Sequence, residues 1–440
     1  MKLTIEEYPR LEEIIYSHVL HPGLQVYLLP KKGYRKKYAV FSTIFGSIDS
    51  HFVVEGEKGE EEFRVPDGVA HFLEHKLFEE EEGNVFDRFA TLGAMPNAFT
   101  SFTQTSYLFS CTDFFQENLE LLLNFVQNPF FTPESVAKEQ GIIEQEIRMY
   151  QDNPEWRLFF NLLGALFQEH PVKIDIAGTV ESIKKITPEV LYKCYRTFYH
   201  PANMGVFIVG DINPEDVLEQ IAANVGQRKY HPAREIKRIY PQEPPLVAKK
   251  RVNQQLTVSQ PLFTLGFKDQ DITPQNPCHG DKLLRRELIT EILLNLIFSS
   301  SEPFFDELYK EGLIDDQFSF GYTGEKTHGY SLAGGRTKDP EVLYQKIMAK
   351  IDLLARESLD KESFARHKRK ALGDFIKGFN SLEFIANNYL AYRFKGANLL
   401  SFPRILESIT LEEVEQRLLH HLLADNHAVS IISPQENGEG

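Results

Sequence analysis

Cysteine, tryptophan and positive charge are all in short supply in this 440-residue chain, and each shortage closes off a class of protein. The three cysteines, Cys111, Cys194 and Cys278, are isolated and odd in number, which argues against a disulfide framework and against a metal site built from thiolates. Lys and Arg number 48 against 63 Asp and Glu, a formal charge of −15, so the composition disfavours nucleic acid and mildly favours neutral or basic peptides. No apolar run approaches membrane-spanning length, and Met1 to Glu7 lacks the basic-then-apolar layout of a secretory leader. The expectation is a cytoplasmic protein that uses neither nucleic acid nor membrane as a partner.

Hydrophobic residues at 42% and charged residues at 25% are globular values, and 440 residues exceed one ordinary core. A polar, proline-rich stretch from Gln227 to Pro245 has no apolar period, so the reading is three parts: 1–225, a linker at 226–246, and 247–440. The two halves echo each other. Phe86-Asp87-Arg88-Phe89 to Gly93 matches Phe305-Asp306-Glu307-Leu308 to Gly312, and Phe99-Thr100 then matches Phe318-Ser319, all at an offset of 219 (305 − 86). Each half reads as strands, paired helices, a hairpin, more helices and a final strand, Met204 to Val209 and Ala428 to Ile432. The fold class is therefore α+β: two duplicated domains, each an antiparallel-rich sheet with helices packed on one face. The acidic runs Glu55 to Glu62 and Glu79 to Glu82 read as solvated loops, and His367, His420, His421 and His427 as surface histidines.

The chemistry concentrates at His71-Phe72-Leu73-Glu74-His75. On a helix, positions i and i+4 share a face, so His71 and His75 can aim at one point, with Glu74 beside them. Two imidazoles suit zinc, and a neighbouring carboxylate can take a proton from water that the metal has acidified. This is the H-x-x-E-H arrangement of the inverzincins. Val69, Phe72, Leu73 and Leu77 make the helix largely apolar, so its polar groups need partners. A second helix runs from Pro133, behind a Thr132 cap, to Asp152, and on it Glu139, Ile143, Glu146 and Tyr150 fall on one stripe. Glu144 lies about 200° round from Glu146 and faces away. Glu146 is therefore the third ligand expected, with Glu139 behind the ligands, orienting a histidine or holding a proton.

These segments resemble the pitrilysin–insulinase family of zinc peptidases, which includes the mitochondrial processing peptidase, and most of all its half-length bacterial members. The resemblance is carried by His71 to His75, by Asn97-Ala98-Phe99-Thr100-Ser101, and by Glu139 to Phe159 ending in Trp156-Arg157-Leu158-Phe159. It implies Zn²⁺ held by His71, His75 and Glu146, with Glu74 as base and Glu139 assisting. It also implies two like domains facing each other across a chamber. Pro96 suits an edge strand that could take an extended peptide by β-augmentation. By the resemblance, Asn97, Ala98 and Phe99 would bind that peptide, with Phe99 and Trp156 walling an apolar pocket.

The second half keeps the fold without the metal chemistry, and it departs from the family pattern in one place. At the offset of 219, positions 71, 74 and 75 become Thr290, Leu293 and Leu294, which cannot hold zinc. Family members that act alone usually carry an arginine and a tyrosine in the stretch matching Tyr309 to Gln317. Here that stretch has no arginine and no tyrosine at the second place, Tyr322 lies too far along, and Asp315 and Asp316 would repel an oxyanion. The reading is a zinc endopeptidase acting on short or unfolded peptides, as a homodimer or with a related subunit that supplies the missing pair. The alternative is a non-catalytic peptide-binding or structural subunit.

Overall fold

The computed structural model describes residues 2–56, 59–81 and 83–435. They fall into two compact units, neither contiguous in sequence: Met1–Ile147 with Asp175–Ile239 and Ile376–Phe394, and Arg148–Ile174 with Tyr240–Phe375 and Lys395–Gly440. The contiguous halves read from the sequence are thus each interrupted by a helical segment that belongs to the other unit.

The first unit is built on seven strands: β1 Thr4–Tyr8, β2 Glu13–Leu20, β3 Leu24–Pro30, β4 Lys37–Thr43, β5 Met95–Thr100, β6 Thr105–Cys111 and β7 Met204–Gly210. They are ordered β1-β2-β3-β7-β4-β6-β5, and only β3 and β7 run parallel. The second unit has five: β8 Arg251–Leu256, β9 Leu262–Lys268, β10 Ser319–Gly324, β11 Gly329–Arg336 and β12 His427–Pro434, ordered β8-β12-β9-β11-β10 with β8 and β12 parallel. The order β3-β7-β4-β6-β5 recurs as β8-β12-β9-β11-β10, so the sequence echo at offset 219 marks a repeated topology.

Every residue of β7 and of β9 is buried, which is why both read as unbroken apolar runs rather than alternating ones. Val206 and Ile208 face the main core with Phe41 and Phe109. The intervening Phe207 meets Tyr389, ring centroids 4.8 Å apart, on a helix Leu382–Phe394 drawn from far along the chain. A Cβ on Gly205 would stand 3.1 Å from Leu390, so glycine admits the helix closely. The second unit repeats the device. Its sheet is covered by a helix Pro154–Leu166 from the first half of the sequence, and a Cβ on Gly266 would stand 2.8 Å from Leu162.

Several local expectations change. Within the run Glu55 to Glu62, Glu57 and Lys58 lie outside the described residues and the rest belongs to two paired strands, His51–Gly56 against Gly59–Arg64, which Ile236–Arg238 from the expected linker joins as a third. Glu79–Glu80 pairs with Gly83–Asn84, and Glu82 lies outside the described residues. His367, His421 and His427 are buried rather than solvated, hydrogen-bonded to Glu302, Ser331 and Tyr344 respectively. Those partners, 65, 90 and 83 residues away in sequence, give the rings polar company that a local pattern does not show. No single described helix is long and apolar enough to cross a membrane.

Candidate metal centre

Two helices build the centre, α1 Val69–Leu77 and α2 Pro133–Asp152, the latter belonging to the first unit as far as Ile147. The start of α1 is pinned by a close backbone crossing. Gly68 takes a φ of 88°, and a Cβ there would meet the Ala177 carbonyl at 2.3 Å. Gly178 in turn takes 76° and faces the Asp67 carbonyl, to which Ser182 Oγ donates at 2.8 Å. Val69, Phe72, Leu73 and Leu77 are almost wholly buried, so one face of α1 is locked into the core while the 71/74/75 face looks towards α2. On α2 the buried positions are Val136, Glu139, Ile143 and Ile147, the 3- and 4-residue spacing of one helical stripe. Ser135 N–H donates to Thr132 Oγ1 at 3.1 Å, capping that helix.

The stripe brings Glu146 over the two histidines. His71 Nε2 lies 3.7 Å from Glu146 Oε1, and His75 Nε2 lies 3.6 Å from Glu146 Oε2. One ligand atom from each of the three falls within 4.8 Å of the other two. Tetrahedral zinc with bonds near 2.0–2.2 Å separates its ligands by roughly 3.3–3.6 Å, close to the two distances from Glu146 to the histidines. Glu144, the alternative on α2, points elsewhere, 3.6 Å from Lys184.

Electrostatics favour a cation here. Burial, reinforced by the neighbouring His75, pushes the His71 imidazole down to about 3, so it is neutral and offers a lone pair. Burial also works against charge on His75, but a hydrogen bond from its Nδ1 to Glu139 Oε1 at 3.0 Å and the charges of Glu74, Glu146 and Glu139 outweigh it, and its pKa is raised. Three carboxylates around two imidazoles in a largely buried setting make a cluster that a divalent cation would relieve. The donor set, two imidazoles and one carboxylate, fits zinc and leaves a fourth position open.

Glu74 is buried beside this cluster, and Thr100 Oγ1 donates to its Oε2 at 2.6 Å. Burial raises its pKa; the Thr100 hydrogen bond and His75 pull the other way, and Glu146 adds to the rise. Thr100 is the partner that the sequence did not single out as having a role of its own. A threonine at the end of an edge strand carries no helical spacing that would link it to α1. Its strand, β5, is the outer strand of the sheet, as Pro96 suggests, with Asn97 exposed and Ala98 and Phe99 half-buried. Asn97 Oδ1 accepts from the Ala98 N–H at 2.9 Å. Of the nine site residues read from sequence, eight lie in this unit. Trp156 belongs to the second unit, where it stacks on Tyr150 at 4.3 Å between centroids and meets Phe160 at 5.2 Å.

Comparison with known proteins identifies the family. A family model described as insulinase, peptidase family M16, matches residues 61–180, and one described as the peptidase M16 inactive domain matches 185–371. The chain is 45% identical over 430 residues to a Bacillus subtilis protein named as the uncharacterized zinc protease YmfH, covering 98% of this chain and 99% of the relative. It is 28% identical over 159 residues to an Arabidopsis thaliana protein named as a mitochondrial-processing peptidase subunit beta, covering 35% of this chain and 30% of that one. A crystal structure of an M16-like peptidase from Alicyclobacillus acidocaldarius superposes with a TM-score of 0.92 at 36% identity, covering 99% of this chain and all of the other.

Proposed function

Because the chain belongs to the insulinase family, peptidase family M16, we propose that it is a zinc-dependent endopeptidase that cuts short or unfolded peptides. The cofactor is Zn²⁺, and His71, His75 and Glu146 are the residues that would hold it. Bound there, zinc would polarise the scissile carbonyl and acidify a water. Glu74 would take a proton from the attacking water and return it to the leaving amine. Glu139, through His75 Nδ1, fixes the ring so that Nε2 faces the metal position. The peptide lies extended along β5, pairing with its free backbone edge and displacing the Asn97 side chain from the Ala98 N–H.

The observation that carries this reading is the hydrogen bond from Thr100 to Glu74. It ties the proposed base on α1 to β5, the strand that would receive the substrate. Metal analysis with cleavage of a quenched peptide library tests it. We expect about one zinc per chain, lost in His71→Ala and Glu146→Ala. Chelator should abolish cleavage. Zinc content indifferent to both substitutions would sink the assignment.

A second subunit completes the proposal, as a homodimer or with a related chain supplying an arginine and a tyrosine. Two observations favour it. The stretch Tyr309 to Gln317 lacks the pair, and the nearby Tyr322 spends its hydroxyl on Asp269 Oδ2 at 2.7 Å. The plant relative is itself named a subunit. The same gap is what a non-catalytic peptide-binding subunit would show, and titration separates the two. Peptide cleavage that rises saturably with added partner supports a catalytic chain; zinc binding with no cleavage under any partner supports the alternative.

A further inference from the structure

We propose that the first unit carries a second binding site, a basic and aromatic cavity that takes a phosphoryl-bearing small molecule. The cavity holds about 590 Å³ and lies where the end of the helix Pro188–Phe198 and the turn Pro201–Asn203 meet the segment 228–238. Its size suits one drug-sized ligand. Arg196, Arg228, Lys229, Arg234 and Arg238 all line it, and no aspartate or glutamate does. In a chain with 63 acidic and 48 basic side chains, a wall with five cations and no carboxylate is the reverse of the general composition.

Only one of the five is neutralised. Arg238 Nε donates to the buried Asp49 at 2.9 Å and is structural. Arg228 gives its Nη1 to Asn128 Oδ1 at 2.7 Å and its Nη2 to Asn124 Oδ1 at 3.0 Å, neutral amides that leave its charge uncancelled. Its Nε is buried and makes no hydrogen bond. Arg196, Lys229 and Arg234 are exposed, and none forms an ion pair among the described residues. An adjoining cavity shares Arg196 and Arg234 and has Glu61 and Glu189 on its wall, but neither carboxylate pairs with them. Cations held together without counter-charge repel one another, and a multivalent anion would remove that cost.

The aromatic wall narrows the ligand. Tyr195 and Tyr199 stack at 4.9 Å between centroids, and their hydroxyls are committed to Val126 O and Tyr107 Oη at 2.9 and 2.8 Å. Tyr230 bonds Gln127 through its hydroxyl. Tyr199 is buried and backs the wall, so the ring surface on offer is that of the half-buried Tyr195 and Tyr230, suited to a flat organic body. Guanidinium groups match phosphate oxygens in a planar fork. The net charge of −15 opposes an extended polyanion such as RNA, so a single small anion is the occupant.

Calorimetric titration of the zinc-loaded chain with inorganic pyrophosphate and, separately, with ADP tests the proposal at constant ionic strength set by NaCl. Saturable binding is expected, weakened about tenfold or more by Arg196→Gln and by Arg234→Gln. Both side chains are exposed, so an unchanged melting temperature should accompany the loss. Tighter binding of ADP, reduced by Tyr230→Leu, identifies a nucleotide; equal affinity identifies recognition of the phosphoryl group alone. No binding of either probe, binding indifferent to both substitutions, or heat that tracks withdrawal of zinc by the probe would each overturn it.

Discussion

Two hydrogen bonds support the proposed centre at the scale of single residues, and each can be removed without touching a residue proposed to hold the metal. Thr100→Val deletes the donor to Glu74 while keeping the side-chain shape. The outcome expected is full zinc content with peptide cleavage lowered about 10–100-fold. Glu74→Gln should also keep the metal but abolish cleavage, because an amide cannot accept the proton. Glu139→Gln weakens the hold on His75 and should lower metal affinity about 10–100-fold with the fold intact, read by competition with a zinc chelator. A change in melting temperature alone, with metal affinity and turnover unaltered, would reduce Glu139 to a packing residue.

His170 makes a prediction of a different kind. It is buried in the second unit, where Val172 N–H donates to its Nδ1 and its Nε2 bonds Thr327 Oγ1. Burial holds its pKa down at about 3, against about 6.5 in an unfolded chain. As pH falls below 6.5 the unfolded chain takes the proton first. Stability is therefore fully present above about 6.5 and is lost as pH falls towards 3, by up to about 1.4 kcal/mol per pH unit. In His170→Asn the slope of unfolding free energy between pH 6.5 and 4 should be shallower, whatever happens to its absolute value.

At the scale of elements, legibility followed spacing. His71, Glu74 and His75 on α1 and Glu139 and Glu146 on α2 could be read because a 3.6-residue period converts sequence intervals directly into a shared face. Thr100 could not, because its distance from Glu74 is set by how a strand packs on a helix. The same reason hid the partners of His367, His421 and His427, which come from remote elements. Glycines divide likewise. Gly266 stands against Leu162, so Gly266→Val should cost about 1–3 kcal/mol through overpacking, seen as a lower denaturation midpoint. Gly141 lies within α2 with open space around it, and Gly141→Ala should stabilise by about 0.5–1 kcal/mol.

For the whole molecule, the duplication was visible in a short echo because it rests on a repeated helix and turn: Gly93 and Gly312 take φ of 66° and 65° at matching places. The exchange of helices between halves was not visible. An amphipathic pattern says that Leu382–Phe394 must bury a face but not which sheet receives it. A fragment ending at residue 225 would hold all seven strands of the first sheet yet lack that helix. It should bind hydrophobic dyes and melt without a cooperative transition, whereas a fragment that folds cooperatively would show the helix to be dispensable.

The exchanged helix also sets a timetable for synthesis. When β7 leaves the ribosome, the first sheet has its last strand, but the helix that covers its second face is complete only at residue 394, 184 residues later (394 − 210). At common elongation rates that is roughly 10–40 s during which Tyr27 and Phe207 face water. The helix Pro154–Leu166 waits longer still, until β12 is made at 427–434. Folding one half and then the other is closed to this chain. It emerges with two apolar faces that stay uncovered until residues 394 and 434 have been added, so holding chaperones during translation, more than final stability, would set its yield.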